Sequence, residues 1–167
     1  MDTTQSIRQA APKDSARLKE IIDLSFPRFF RFFANHSVES EDGKVLVSED
    51  QGTAVGFAKL IEFHIGGGKY GCILWLGVHP EHRRKGIASA LVKAGTENLK
   101  QDGAKAVFAS VQLRNKASLA TFSREGFRRM GFLGLWRLFG FRVLSFYRKI
   151  WYAPGEIVLM HDSFNRK

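Results

Sequence analysis

The sequence predicts a mixed α/β domain in which a central, mostly antiparallel sheet carries helices on both faces. A helical segment near the start is followed by two or three strands that are joined by short turns, as in antiparallel pairing. A strand–helix–strand–helix series then makes the sheet mixed. The strand at Tyr70–Val78 is apolar almost throughout, which is typical of a central strand. The chain, 1–167, has the length of a single domain.

The first half of the chain contains two predicted helices and two predicted strands. Apolar residues recur at helical spacing over 16–24, and a proline separates this helix from a short aromatic one at Phe26–Phe33. Strands are predicted at Lys44–Glu49 and Thr53–Phe63, because β-branched and apolar residues there are bounded by turn residues. Gly56 interrupts the second of these strands and indicates a bulge.

The second half continues with alternating elements. A helix is predicted over Lys85–Lys100 from its apolar spacing, and an Asp-Gly pair closes it. The segment Lys105–Gln112 is predicted to be a strand. A short helix over Asn115–Glu125 ends at Gly126, the residue type that most often terminates helices.

The chain is strongly basic, with a net charge of +10 from 26 Lys and Arg against 16 Asp and Glu. No acidic residue lies between Glu125 and Glu156, and six basic residues do. Such an excess favours polyanions: nucleic acid, an acidic protein, a membrane surface or a phosphate-rich cofactor. Charge alone does not choose among them.

The sequence predicts a soluble cytoplasmic protein. The single cysteine, Cys72, cannot form an internal disulfide, and it lies in an apolar run that predicts a buried thiol. The N-terminal segment has no apolar core of signal-peptide length. No uninterrupted apolar run approaches the roughly 18–20 residues of a membrane span.

The segment Val78–Ser89, VHPEHRRKGIAS, is the strongest functional signal. It places a basic turn between a strand and the start of a helix, where backbone N–H groups lack helical partners and attract anions. Gly86 and Ala88 leave room for a diphosphate against the main chain. Arg83, Arg84 and Lys85 add charge there. The alternative is a solvated basic loop.

The residues of this segment resemble the cofactor signature of the GNAT acetyltransferases. That signature is Arg or Gln, two residues, Gly, one residue, then Gly or Ala, here Arg83 to Ala88. The preceding Val-x-Pro is present as Val78-His79-Pro80. Downstream, Asn115–Ser118 and Gly126-Phe127 resemble the second family signature. The resemblance covers residues 44–127.

The resemblance implies acetyl-CoA as cofactor and a sheet splayed at its middle. The pantetheine arm would pair with the backbone of Leu76–Val78 as an added strand, and the N–H of Val78 would stabilise the oxyanion. Asn115 would bind the pantetheine or only cap its helix. The predicted cofactor-binding residues are Leu76, Gly77, Val78, Arg83, Arg84, Lys85, Gly86, Ile87, Ala88, Ser89, Asn115 and Phe122. No metal ligands are predicted.

The catalytic acid and base are less clearly indicated. Phe122 stands where many family members have a tyrosine that protonates the departing thiolate, and phenylalanine cannot donate a proton. No carboxylate or histidine occurs in residues 72–77, so Glu62 and His64 on the preceding strand are the candidate bases. They share one face of that strand.

The region after the second signature is rich in aromatic and basic residues. About 20 residues at 133–152 resemble an insertion relative to the family. The favoured interpretation is an amphipathic element that packs over the acceptor side of the sheet or across a homodimer contact. A membrane-surface helix and a nucleic-acid contact are alternatives.

The predicted function is therefore transfer of acetyl from acetyl-CoA to a primary amine by direct attack. The segment 151–160 is similar to the last strand of protein N-terminal acetyltransferases, so a peptide or protein N-terminus is favoured over small amines as acceptor. The alternative from another class is a binding module of the same fold that holds acyl-CoA with little or no transfer.

Overall fold

The computed structural model describes residues 6–162, which form two compact units. The first unit contains residues 6–60 and 75–95, and the second contains residues 61–74 and 96–162. The strands are β1 (Ser6–Gln9), β2 (Lys44–Asp50), β3 (Thr53–Ile65), β4 (Gly68–Val78), β5 (Ala106–Gln112), β6 (Arg128–Met130) and β7 (Glu156–Asp162). The helices are α1 (Ser15–Ser25), α2 (Arg28–Glu39), α3 (Ile87–Gln101), α4 (Lys116–Arg124), α5 (Phe132–Phe139) and α6 (Val143–Lys149).

The strands form one sheet in the order β1-β2-β3-β4-β5-β7-β6. Antiparallel ladders join β1 to β2, β2 to β3, β5 to β7 and β6 to β7, while β4 and β5 run parallel. The β4–β5 ladder joins only Gly71–Ile73 to Val107–Ala109 within the described residues, although both strands continue beyond it. The mixed, mostly antiparallel sheet of the prediction is confirmed.

In the first unit, α1 and α2 share an apolar core with β2 and β3. Leu18, Ile21 and Ile22 of α1 are buried at helical spacing, as the sequence predicts. The helix α2 runs further than the predicted segment, to Glu39. The core side chains of this unit are Leu18, Ile21, Ile22, Ala34, Val45, Val47, Ala54 and Phe57.

Strand β1 was not predicted from the sequence. It pairs antiparallel with β2, and the Arg8 guanidinium bonds to carboxylates on both sides, at 2.7 Å to Asp14 and 2.6 Å to Glu49. The hydrogen bond from Arg8 lowers the pKa of the buried Asp14 carboxyl to about 2. These contacts hold β1 against β2 and the turn that contains Asp14.

A bulge in β3 sets the approach of α3. Ser48 pairs with Gly56 and Glu49 with Ala54, so Val55 is the extra residue, next to the predicted position. A side chain at Gly56 would meet Ile87 Cγ2 of α3 at 2.9 Å. The glycine therefore allows the first turn of α3 to lie directly on β3.

The second unit is built on aromatic packing. Phe146 of α6 lies 4.8 Å from Phe108 and 4.9 Å from Phe139, measured between ring centroids. Cys72 is fully buried in this core, and burial raises the pKa of its thiol. The core side chains are Phe63, Ile65, Cys72, Ala106, Phe108, Leu135, Phe139, Val143, Phe146, Ile150 and Val158. The segment 133–152 thus forms α5 and α6, which contribute one face to this core.

Among residues 6–162, every helix is too short or too polar to pass through a bilayer.

Candidate functional site

The end of β4 is held by a backbone hydrogen bond that orients its last residues. The N–H of His79 donates to the carbonyl oxygen of Val55 at 2.9 Å, and a single 3-10 turn, Pro80–His82, follows. Backbone N–H groups alternate in direction along a strand. The N–H groups of Val78 and Leu76 therefore point away from β3, as an oxyanion donor and a pairing edge for a ligand both require.

The carbonyl oxygen of Val78 accepts hydrogen bonds from two side chains. Ser25 Oγ, at the end of α1, and Arg83 Nε each donate to the Val78 oxygen at 3.2 Å. Arg83 Nη2 also lies 3.4 Å from Ser25 Oγ. Arg83 therefore fixes the main chain of the turn here, and its predicted contact with the cofactor stays a prediction.

The turn into α3 presents main-chain donors. Arg84 and Gly86 both adopt left-handed backbone conformations, with φ of 62° and 81°. The first helical hydrogen bond of α3 runs from Ala90 N to Gly86 O at 3.0 Å. The N–H groups of Ile87 and Ala88 precede that bond, so the helix supplies them with no carbonyl. Together with the positive end of the helix dipole they favour an anion.

The space in front of these donors is open. A Cβ built on Gly86 would meet no atom within 4 Å, and residues 83–86 are exposed. Ile87 is buried and packs towards β3, so its contribution to a ligand would come from its N–H rather than its side chain. Residues 82–96 contain no acid. The arrangement therefore has the donors, the room and the charge for a diphosphate.

Two histidines shape the turn between β4 and α3. The buried His79 accepts a hydrogen bond at Nδ1 from the N–H of Glu81 at 3.4 Å, and its Nε2 lies 3.6 Å from Glu20 Oε1. His79, Glu81 and His82 each have one atom that could ligate a metal ion, and these three atoms lie within 4.8 Å of one another. The hydrogen bond at Nδ1 gives His79 a structural role, because it links the side chain to the main chain of the turn. The expectation that the chain uses no metal stays a prediction.

The candidate bases lie in the second unit. Glu62 and His64 are exposed on β3 near the Gly66–Gly67 turn, on the same face as expected. Glu62 Oε2 forms an ion pair with Lys69 Nζ at 2.7 Å. These two residues belong to the second unit and the α3 turn to the first. Their catalytic role stays a prediction.

Asn115 and Phe122 also belong to the second unit. Asn115 caps α4 by accepting the N–H of Ser118 at 3.1 Å, which is one of the two roles expected for it. Phe122 is 3% exposed, and its ring lies 5.0 Å from that of Phe127. It is a core residue of this unit, and its predicted contact with the cofactor is untested.

Two residues of the first unit escaped the sequence analysis. Ser25 holds the Val78 carbonyl, and nothing in the sequence distinguishes it from an ordinary serine at a helix end. Trp75 packs on Phe26 and Phe30, at 5.4 Å and 6.3 Å between ring centroids. Its buried Nε1 has no hydrogen-bond partner among the described residues. A buried indole N–H usually finds an acceptor, so water or a ligand is expected there.

Comparison with solved structures identifies the fold. An acetyltransferase of the GNAT family from Desulfovibrio desulfuricans is 15% identical and superposes with a TM-score of 0.74, over 95% of this chain and 99% of that one. The ribosomal-protein-S18-alanine N-acetyltransferase of Escherichia coli is 17% identical, with a TM-score of 0.66 over 98% and 99%. An acetyltransferase of Bacillus subtilis, solved with CoA, is 15% identical with a TM-score of 0.69 over 95% and 99%. At these identities the likeness shows the fold alone.

Sequence comparison establishes the family. No curated protein matches the chain. The sequence profile described as the acetyltransferase (GNAT) family matches residues 9–127, which include β2 to α4 and the whole turn before α3. The chain therefore belongs to the GNAT family of acetyltransferases.

Proposed function

We propose that the protein transfers acetyl from acetyl-CoA to a primary amine, with the α-amino group of a peptide or protein as the favoured acceptor. The observation that carries the proposal is the turn before α3. There the N–H groups of Ile87 and Ala88 have no helical partner and Gly86 faces open space, so they would bind the diphosphate. Arg84 and Lys85 would supply charge beside it.

The first unit also provides a surface for the rest of the cofactor. When bound, acetyl-CoA supplies the acetyl thioester that the amine attacks. The backbone of Leu76–Val78 would pair with the pantetheine, since its N–H groups point away from β3. Asn115 is the proposed second-unit contact.

The N–H of Val78 would stabilise the oxyanion as the amine attacks the thioester carbonyl. Ser25 and Arg83 both bond to the carbonyl of the same residue. A donor that is already held in place loses no free energy to reorientation during the reaction, which is the basis of oxyanion stabilisation.

An α-amino acceptor reduces the demand for a general base. An α-amino group with a pKa near 8 is about 10% neutral at pH 7, whereas a lysine is less than about 0.1% neutral. Glu62 and His64 remain candidate bases without supporting contacts. An N-terminal acceptor therefore suits this chain better than a lysine. The similarity of residues 151–160 to N-terminal acetyltransferases and the likeness to the ribosomal-protein alanine enzyme support this choice.

Release of CoA thiol in the presence of an acceptor panel tests the proposal. The panel contains peptides with free and blocked N-termini, polyamines, aminoglycosides and amino acids, each with acetyl-CoA. We expect free N-terminal peptides to accelerate thiol release and their blocked counterparts, which retain lysine, to have little effect. Acceleration by another amine class alone would keep the transferase and replace its acceptor.

The buried Phe122 favours a second candidate, a GNAT-fold module that binds acyl-CoA with little transfer. Its side chain has no hydroxyl to protonate a thiolate. A thiol with a pKa near 8.5 leaves without strong acid assistance, so this candidate ranks second. Acetyl-CoA binding without acceleration by any amine in the panel would reverse the ranking.

A further inference from the structure

The segment 132–150, which contains α5 and α6, holds two sets of large apolar residues. One set consists of residues spaced three or four apart and is buried in the second unit: Leu135, Phe139, Val143, Phe146 and Ile150. A second set of large apolar residues in the segment is exposed: Phe132, Leu133, Trp136, Leu138, Phe141 and Leu144. Helices that are apolar all round are normally covered on all sides. We call the second set the exposed apolar face.

The exposed apolar face has a continuous aromatic centre. The rings of Phe132 and Trp136 lie 6.0 Å apart, and those of Trp136 and Phe141 lie 5.0 Å apart, measured between centroids. Phe141 is 88% exposed, and Leu133 and Leu144 are 73% and 72% exposed. The linked and exposed rings of Phe132, Trp136 and Phe141 mark an interaction surface.

The stretch of chain that contains the exposed apolar face carries one sign of charge. Six basic residues, all exposed, accompany it: Arg128, Arg129, Arg137, Arg142, Arg148 and Lys149. No acid lies between Glu125 and Glu156. The segment therefore combines large exposed apolar side chains with exposed basic ones.

This combination selects one occupant. In a twofold dimer the patch would face its own copy, so that six positive charges would meet six others with no acid in the segment to offset them. Single-stranded nucleic acid stacks on aromatic rings, which gives the three exposed leucines no role. An anionic bilayer interface accommodates aromatic rings, leucines and basic residues together.

We propose that the exposed apolar face docks the protein onto the surface of an anionic lipid bilayer. The aromatic and leucine side chains enter the headgroup–acyl boundary, and the basic residues contact the anionic headgroups. The attachment is peripheral. It does not depend on the acetyltransferase activity proposed above.

Sedimentation of the protein with phosphatidylcholine vesicles, with and without phosphatidylglycerol, tests the proposal. We expect the protein to bind only the vesicles that contain phosphatidylglycerol and to dissociate as salt is raised. The variant Phe141→Ser/Leu144→Ser should bind at least about tenfold more weakly. Both side chains are exposed, so circular dichroism should be unchanged.

A matched control and a charge variant complete the test. Leu24→Ser/Leu113→Ser removes two leucines that are about half exposed and lie outside the segment, and should bind as the wild type does. Arg137→Gln/Arg142→Gln should weaken binding about 30-fold at low salt. The proposal would be wrong if the wild-type protein did not sediment with vesicles that contain phosphatidylglycerol. It would also be wrong if a wild-type dimer dissociated in Phe141→Ser/Leu144→Ser, which would assign the face to a second copy.

Discussion

Both units have a buried apolar core, and they differ in the contacts that stand out around it. In the first unit, polar side chains bond directly to the main chain or to one another: Arg8 to Asp14, and Ser25 and Arg83 to the Val78 carbonyl. In the second unit, a cluster of aromatic rings around Phe146 is the main feature. If the first unit binds a ligand through its backbone, as proposed, directional bonds would hold that backbone in position. In the second unit, the dense aromatic core supports the exposed apolar face described above.

Phe146→Ala should be the most destabilising change and would establish the aromatic cluster as the basis of the second unit. The side chain is fully buried against several rings, so we expect a loss of about 3–5 kcal/mol in the free energy of unfolding. Urea denaturation followed by circular dichroism measures it. Phe141→Ala, on the exposed face, is the control, with an expected change of less than about 0.5 kcal/mol. Similar losses for the two variants would refute the two-faced arrangement.

Gly86→Asp tests whether the first unit binds through its backbone. A carboxylate placed against the N–H donors should repel a diphosphate, and we expect CoA affinity to fall about 100-fold or more, by calorimetry. Gly52→Asp is the matched control, because Gly52 has the same φ of 81° and equally open space. Both variants carry the same backbone strain and the same added charge. Equal affinities in the two variants would place the cofactor elsewhere.

The Arg8–Asp14 pair predicts an acid-sensitive contribution in the first unit. The pKa of Asp14 is lowered to about 2 from an unfolded value near 3.8. A depressed carboxyl pKa stabilises the fold above the unfolded pKa, and this stabilisation is lost as pH falls through the folded pKa. The free energy of unfolding of the wild type should therefore exceed that of Asp14→Asn by about 2 kcal/mol at pH 5. This difference should shrink as the pH falls towards 2. Urea titrations at several pH values measure it, and a constant difference would exclude the ion pair as its source.

Ser25→Ala should have the smallest effect. The loss of one hydrogen bond to the Val78 carbonyl should cost about 0.5–1.5 kcal/mol of stability. If Ser25 positions the oxyanion donor, kcat should also fall by several-fold while CoA affinity changes little. Ser6→Ala, on the exposed end of β1, is the control. A change in CoA affinity alone would indicate that Ser25 acts on the turn instead.

The parts that the sequence predicted well are those where residue type is dictated by backbone conformation. Gly86 adopts a left-handed φ with open space in front of it, and that requirement leaves a visible trace in the sequence. Gly56 likewise marks a close helix approach and a neighbouring bulge. The apolar spacing of α1 correctly predicted the buried Leu18, Ile21 and Ile22, whereas Leu24 at the end of the pattern is 51% exposed.

The parts that the sequence missed depend on partners distant in the chain. Strand β1 is short and polar, and it pairs with β2 because β2 offers it an edge and the Glu49 carboxylate that accepts a hydrogen bond from Arg8. The direction of the Val78 N–H follows from the bond between His79 and Val55, which no local pattern encodes. In residues 132–152, apolar residues occur on nearly every side of a helix drawn through the sequence. Periodicity therefore could not distinguish the buried apolar residues from the exposed ones.

The burial of Cys72 has a practical consequence for measuring the reaction. It is the chain's single cysteine, it is inaccessible, and its thiol resists ionisation. Disulfide reagents that detect free coenzyme will therefore register product without a background from folded protein. Colour that develops without an acetyl donor would instead report that the second unit has opened and exposed Cys72. The same reagent therefore measures the rate of that opening.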